Sequence, residues 1–497
     1  MEERYIATVD LGTSKLALAV AKVTGDNTEI LYYKERPSDG VRYGCVLNPT
    51  RASVPLIAAV KEVEDELSIR ISQLVIGLPR FGVEQETSSA KSIRSDADSC
   101  ITQEEIDDIK NLAMDSYPLD NADKQEIYGS AAQSFSTDDA INCTEEDVVG
   151  MPSSVLEGNF KVFVGSKKAY KNIDTMLNKA NIAPACKYFL PEATAGAVLS
   201  AEEKENGVAL IEMGGGVTSV TIYQGGIMRF YHAIQFGGKS ITNDIKLECG
   251  FNERLAENIK LGFGACLPDK LQSMTDKILQ IRDEENGTTQ QLPVKYLSEI
   301  IDSRVREIVD AILFKIQESG YANRLRNGVV LTGGCANLTN CGNLIKEMSG
   351  YNVRLGFPRL KNFTFSECPG IGEASAVASI GLLMLARENR LLNCTDEFFT
   401  FKPKSEATRM VQEAASAKKE EKPQTAAPVE ESKAKIELKG TVFEEPAKIV
   451  KAPGPRKQSK LEKNIITWTK RITSKPIEWA GKLYDNMDSD ESGQSNS

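Results

Sequence analysis

At 497 residues the chain has material for about three domains of ordinary size, which excludes a single small fold. Hydrophobic residues make up 41% and charged residues 26%, a globular balance that excludes disorder throughout while allowing a disordered segment. Lys and Arg number 60 against 70 Asp and Glu, a net charge of −10, which leaves no chain-wide basic surface and argues against nucleic acid as a partner.

The first ten residues are acidic and then strand-like, without the basic and apolar regions of a signal peptide, so secretion is not expected. Residues 5–9 and 16–23 read as strands around a Gly-Thr-Ser turn, residues 54–67 as a helix and 74–77 as a strand. From about 83 to 163 the composition turns polar, and Thr102 with Glu105 fits a capping box that opens a helix. This stretch is expected to be an inserted subdomain, because the α/β pattern resumes only near Phe160–Gly165. Strand-turn-strand returns at 207–212 and 217–223, and a buried strand at 328–331 ends in Thr332-Gly333-Gly334. A second insertion, largely helical, is expected over 245–305. The longest apolar run, Ala374 to Ala386, is too short for the roughly 20 residues of a bilayer-crossing helix. Residues 403–458 are rich in Lys, Glu, Ala and Pro and are expected to form a disordered linker.

Ten cysteines are scattered without a Cys-x-x-Cys pair, which leaves a zinc site or redox dithiol unsupported and favours reduced thiols. The single histidine, His232, lies in an apolar-aromatic run and reads as a packed imidazole. Three glycine turns follow strands. Asp10-Leu11-Gly12-Thr13-Ser14-Lys15 sets a carboxylate at a strand end before backbone N–H groups, hydroxyls and an ammonium, a combination suited to phosphate. Glu212-Met213-Gly214-Gly215-Gly216-Val217-Thr218 repeats acid, spacer and glycine, and the glycines let backbone approach an anion without obstruction. Two such hairpins facing each other would bracket a triphosphate, and their carboxylates, Asp10 and Glu212, would repel it unless a divalent cation stood between them, which implies Mg2+ held through water. Leu331-Thr332-Gly333-Gly334-Cys335-Ala336-Asn337 supplies a third turn suited to packing against a purine, and Glu257 with Lys260 forms a polar pair on one helix face. Gly238-Lys239-Ser240 echoes the end of a P-loop, but Ala233 stands where that motif needs glycine.

The order of these turns resembles the superfamily of actin, DnaK-type chaperones and sugar kinases. Phe236-Gly237-Gly238-Lys239-Ser240-Ile241-Thr242-Asn243-Asp244-Ile245, Ala256-Glu257-Asn258-Ile259-Lys260, Ile101-Thr102-Gln103-Glu104-Glu105-Ile106 and Val149-Gly150-Met151 narrow the resemblance to the FtsA family of bacterial cell-division proteins, over about residues 4–395. The resemblance implies an α/β, actin-like two-lobed fold of duplicated ribonuclease-H-like cores, with an inserted subdomain of the FtsA type. Lobe 1 would take 1–82, 164–203 and 366–400, the insertion 83–163, and lobe 2 204–244 and 306–365, with a helical subdomain at 245–305. It implies ATP and Mg2+ in the cleft: Asp10 and Glu212 toward the metal, Gly12, Thr13, Ser14, Lys15, Gly214, Gly215, Gly216 and Thr218 toward phosphates, Glu257 and Lys260 toward the nucleoside, and Gly333, Gly334 and Asn337 toward the base. The second turn departs from the superfamily's Asp-x-Gly-Gly-Gly-Thr-Thr-Asp at Glu212, Val217 and Ser219, and Leu190 stands near the place of a water-orienting Gln or Glu, with Glu192 as a substitute. Hydrolysis is therefore expected to be weak or absent. The partners implied are the FtsZ C-terminal tail on 245–305, further copies of the chain, and other division proteins.

Beyond the linker, expected over 401–459, Leu461, Ile465, Trp468, Ile472, Trp479 and Leu483 recur at steps of three and four, with Pro476 on the same stripe. Between 460 and 483 six basic residues face two acidic ones. The expectation is an amphipathic helix over 460–486 on anionic lipid, followed by a disordered tail at 487–497, which would put the protein on the cytoplasmic face of the inner membrane at the division site. A type IV pilus assembly component of the same superfamily and a sugar-kinase-like phosphotransferase are the alternatives.

Overall fold

The computed structural model describes residues 3–282, 289–365 and 368–396. The chain divides into two units, Met1–Leu438 and Lys439–Ser497, and all described residues lie in the first. The expected linker, the stripe from Leu461 to Leu483 and the tail lie outside the described residues.

In the first lobe β1 (Glu3–Leu11), β2 (Lys15–Thr24) and β3 (Asn27–Pro37) form an antiparallel meander. Helix α1 (Pro49–Leu67) then crosses to β4 (Gln73–Leu78), which lies parallel to β1. The helix begins five residues before the expected Val54, because the Asn48 side chain accepts from Arg51 N and Pro49 fits the first turn. Next come β5 (Glu84–Ile93), α2 (Gln103–Asp115), β6 (Gln125–Ser136) and β7 (Val155–Ser166), a separate three-stranded sheet of order β5-β7-β6. The Thr102–Glu105 capping box forms, with Thr102 N donating to Glu105 Oε2 at 2.8 Å. Ile101, Ile106, Ile109, Phe135, Val148 and Phe160 give this part its own small core. Helix α3 (Lys167–Lys179) and β8 (Ala183–Phe189) return to the first sheet, whose order is β8-β4-β1-β2-β3 with Thr364–Phe365 at the edge.

After α4 (Leu190–Val198) the plan repeats. β9 (Val208–Met213), β10 (Thr218–Gln224) and β11 (Ile227–Ile234) form a second antiparallel meander. Helices α5 (Gly238–Cys249) and α6 (Glu253–Phe263) follow, then the hairpin β12 (Ile278–Arg282) and β13 (Thr289–Pro293), then the long α7 (Val294–Glu318). The hairpin interrupts a stretch that the sequence presents as mainly helical. β14 (Val329–Thr332) pairs parallel with β9, as β4 does with β1, so each lobe carries the same arrangement.

Strand alternation joins the lobes. Val208 and Leu210 of β9 and Val330 of β14 enter the core of the first lobe, while Ala209, Ile211 and Met213, with Val329 and Leu331, enter the second. Both faces of this sheet are covered, which is why its strands read as continuous apolar runs. The apolar run near 374–386 becomes α8 (Val377–Glu388), where Ala378 and Leu382 pack on Leu190 and Ala193 of α4. A Cβ on Gly381 would meet the Ala193 carbonyl, so close helix approach requires glycine there. Among the described residues no helix is long and apolar enough to cross a membrane.

Candidate functional site

Because β1 and β9 occupy equivalent places, their ends meet. Asp10 pairs with Ala17 just before the first turn, and Glu212 pairs with Ser219 just before the second. The first turn is braced by side chains and by one backbone bond, Ser38 N to Ser14 O at 3.1 Å. Ser38 Oγ donates to Gly12 O at 2.7 Å, and Gly44 N donates to Thr13 Oγ1 at 2.9 Å. Backbone braces the second: Gly214 N donates to Val217 O at 2.8 Å, Gly238 N to Gly214 O at 3.0 Å and Lys239 N to Gly215 O at 2.7 Å. The last two bonds use carbonyls of the turn, whereas the Gly214 N–H is taken by Val217 O.

The turns touch. A Cβ on Gly215 would strike the Ser14 side chain, and one on Gly216 would lie 2.7 Å from Thr13 Oγ1. The third turn joins them through Cys335 Sγ, which donates to Gly214 O at 3.5 Å. Gly333 adopts φ of 92°, and a Cβ there would sit 2.5 Å from Met213 O. Burial pushes the Cys335 thiol up to about 11, so it is an inert packing group.

Together the turns border a cavity of about 1140 Å3. Asp10, Gly12, Thr13, Ser14, Lys15, Glu212, Gly214, Gly215, Gly216, Glu257, Lys260, Gly333, Gly334 and Asn337 all line it. Thr218 is absent from the lining. Its side chain is buried and donates to Phe236 O at 2.9 Å, because strand alternation turns it away from the cleft. Glu192, the substitute for a water-orienting residue, is exposed and also absent from the lining, while Leu190 is buried against Gly77 and α8.

Six basic and six acidic side chains line the cavity, so an anion there would depend on local arrangement rather than on an excess of positive charge. Lys15 pairs with Glu35 Oε1, which also accepts from Tyr33 Oη at 2.6 Å. Lys260 is only 6% exposed, and its ammonium reaches Gly238 O at 3.0 Å, Thr242 Oγ1 at 2.9 Å and Glu257 Oε2 at 2.8 Å. All three of its protons have partners. This pair pins the start of α5 to α6 and is not the solvated helix pair that its spacing alone would suggest.

Sequence reasoning missed Arg80. Its Nε donates to Glu212 Oε2 at 3.1 Å, its Nη2 stands 2.5 Å from Glu212 Oε1 off the hydrogen-bond line, and its Nη1 lies 4.0 Å from Asp10 Oδ1. Burial pushes the Glu212 carboxyl up, Arg80 pulls it down, and Asp10 adds to the upward push. The repulsion between Asp10 and Glu212, from which the sequence implied Mg2+, is thus already met by a guanidinium of the chain itself. Asp10 fits a metal-bound water, since its Oδ1 is buried without a hydrogen-bond partner. Glu212 fits less well, because Arg80 faces both its oxygens. Among the described residues no group of three or more His, Cys, Asp or Glu gathers to hold a metal directly. The signal for Arg80 was its place two residues past a strand parallel to β1, where strand ends converge on a site. Glu35 carried no such signal until the β2–β3 register was known.

The family model described as cell division protein FtsA matches residues 209–378, which span the second and third turns. Cell division protein FtsA of Neisseria meningitidis serogroup B is 27% identical over 363 residues, covering 72% of this chain and 85% of the relative. That of Borreliella burgdorferi is 29% identical over 399 residues, covering 79% and 93%. Among solved structures, a chain of the PilM-PilN type IV pilus biogenesis complex superposes with a TM-score of 0.53 at 15% identity, covering 77% of this chain and 98% of that one, and so shares the fold. The duplicated lobes and the cavity between their glycine turns give an actin-like fold, and over most of its length the chain is similar to cell division protein FtsA.

Proposed function

We propose that the chain is an ATP-binding cell-division protein that polymerises and tethers FtsZ filaments to the cytoplasmic face of the inner membrane at the division site. The observation that carries the nucleotide half is the contact of the Gly215–Gly216 turn with Ser14 and Thr13 at one cavity. The backbone of Gly12, Gly214, Gly215 and Gly216 faces the phosphates, with Thr13, Ser14 and Lys15 beside them. Gly333, Gly334 and Asn337 border the base, and Glu257, which lines the same cavity, is turned to the nucleoside. If Mg2+ accompanies the nucleotide, Asp10 holds it through water, and the metal supplies charge neutralisation of the phosphates. Neither Leu190 nor Glu192 offers a group to orient water in the cavity, which supports weak or absent hydrolysis.

The membrane half rests on the sequence of 460–486. Six large apolar residues on one stripe, two of them the only tryptophans of the chain, with six basic residues against two acidic ones, suit an interfacial helix on anionic lipid. One such helix binds weakly, because ordering it costs about 1 kcal/mol or more per residue. Several copies carried on a polymer bind by avidity, which gives self-assembly a purpose. The 245–305 region is the candidate dock for the FtsZ tail.

Co-sedimentation with anionic liposomes tests the assignment. The full chain with ATP should pellet with the vesicles, and a truncation after residue 458 should stay in solution. Trp468→Glu with Trp479→Glu should release the full chain while ATP binding persists. Vesicle binding that survives the double substitution rejects the anchor.

A further inference from the structure

We propose that Arg80 is a built-in cation that takes the place of a divalent metal between Asp10 and Glu212, so that the cavity accepts a nucleoside triphosphate with little dependence on Mg2+. The proposal deepens the nucleotide reading above and rests on it. Two carboxylates at the ends of equivalent strands, both lining one cavity, are a usual frame for a metal held between them. Here the side chains of Arg80, Asp10 and Glu212 are only 14%, 12% and 13% exposed, and the guanidinium faces both acids. It is not a surface arginine that has drifted in. Tyr231 Oη donates to Arg80 O at 2.5 Å, fixing the backbone from the second lobe, while β4 fixes it from the first.

Three consequences follow from charge and geometry. The trio carries one net negative charge instead of two, so the electrostatic cost of admitting phosphate is lowered without a metal. Glu212 has both oxygens turned to Arg80, so an ion there would have to share them with the guanidinium. Asp10 alone, with its unpartnered Oδ1, is too poor a donor set to recruit Mg2+ before nucleotide arrives, since that ion is held by one or two carboxylates together with substrate phosphates.

The test uses the full chain, wild type and Arg80→Ala, with Arg80→Lys and Arg80→Ala/Glu212→Gln as variants that keep a charge or remove the second acid. In the first arm, thermal melting is followed without nucleotide, with Mg2+ or with EDTA. Wild type should be indifferent to Mg2+. Arg80→Ala should melt lower and be raised by Mg2+, and the double variant should recover in EDTA. In the second arm, ATP affinity is compared in Mg2+ and in EDTA. Wild type should change by about threefold or less, and Arg80→Ala should lose about tenfold or more in EDTA. Arg80→Lys should fall between, and it supplies the comparison should Arg80→Ala fail to fold. A Mg2+-induced rise in melting of wild type equal to that of the variant, or an equal loss of ATP by wild type in EDTA, overturns the proposal. Absence of ATP binding by wild type in both buffers would instead remove the nucleotide reading, and the melting arm would still decide whether Arg80 stands in for the metal.

Discussion

The first and second glycine turns share an acid, a spacer and a glycine in sequence and differ in what holds them. The first, at Asp10–Lys15, is fastened by side-chain bonds from Ser38 and to Thr13 beside one backbone bond from Ser38, and its acid keeps an unpartnered oxygen. The second, at Glu212–Thr218, is fastened by backbone bonds from Gly238 and Lys239, and its acid is taken by Arg80 from the other lobe. A repeated motif therefore gives two chemically unequal halves: one acid is left to face a ligand, the other locks the lobes together. The inequality comes from Arg80, which belongs to neither motif.

Removing Arg80 breaks this difference most severely. Arg80→Ala leaves Glu212 buried without its counter-charge, and should cost about 3–5 kcal/mol in urea denaturation, whereas Lys15→Met, which breaks a half-exposed pair with Glu35, should cost less than about 1 kcal/mol. Equal losses would mean that the two halves are electrostatically alike. Next in size is the contact between the turns. Gly216→Ala should destabilise by about 1–3 kcal/mol, because the new methyl meets Thr13, and Thr13→Ala in the same chain should recover part of that loss. Additive losses in the double-mutant cycle would show that the turns do not touch in solution.

A smaller effect separates the two threonines. Thr218→Val should lose about 1 kcal/mol with its bond to Phe236 O and leave ATP affinity unchanged, since Thr218 does not line the cavity, whereas Thr13→Val should weaken ATP binding. The smallest concerns pH and falls on the second lobe alone. His232 of β11 is held down to about 4 by burial, with Lys315 adding to the shift and Glu318 opposing it, and its Nε2 is buried without a partner. Between pH 6.5 and about 4 the unfolded chain binds a proton that the folded chain refuses. This contribution to stability is therefore complete above about 6.5, falls as pH drops, and levels off below about 4. Urea denaturation at about pH 7 and about pH 5 should show a smaller loss for His232→Gln than for wild type.

Much of this was legible in the chain. Strand-turn-strand at the first two glycine motifs formed as read, as did the Thr102–Glu105 cap, because turn glycines, caps and apolar periodicity are local properties with local energies. Some features that are themselves short-range were still passed over. The Asn48 cap moved a helix start, and a hairpin at Ile278–Pro293 interrupted a stretch read as helical.

The sequence by itself determined that two acid-glycine turns and a third glycine turn exist, each behind a buried strand, and that a basic, tryptophan-bearing stripe follows a polar linker. Only the tertiary structure decided that Arg80 would stand between Asp10 and Glu212, that Lys260 would spend its protons on Gly238, Thr242 and Glu257, and that Thr218 would face inward. The physical reason is sequence separation. Arg80 and Glu212 lie 132 positions apart, and no propensity or spacing rule acts across that distance. Only parallel pairing of β4 with β1, and packing of the two sheets on shared apolar faces, bring those charges within reach of each other.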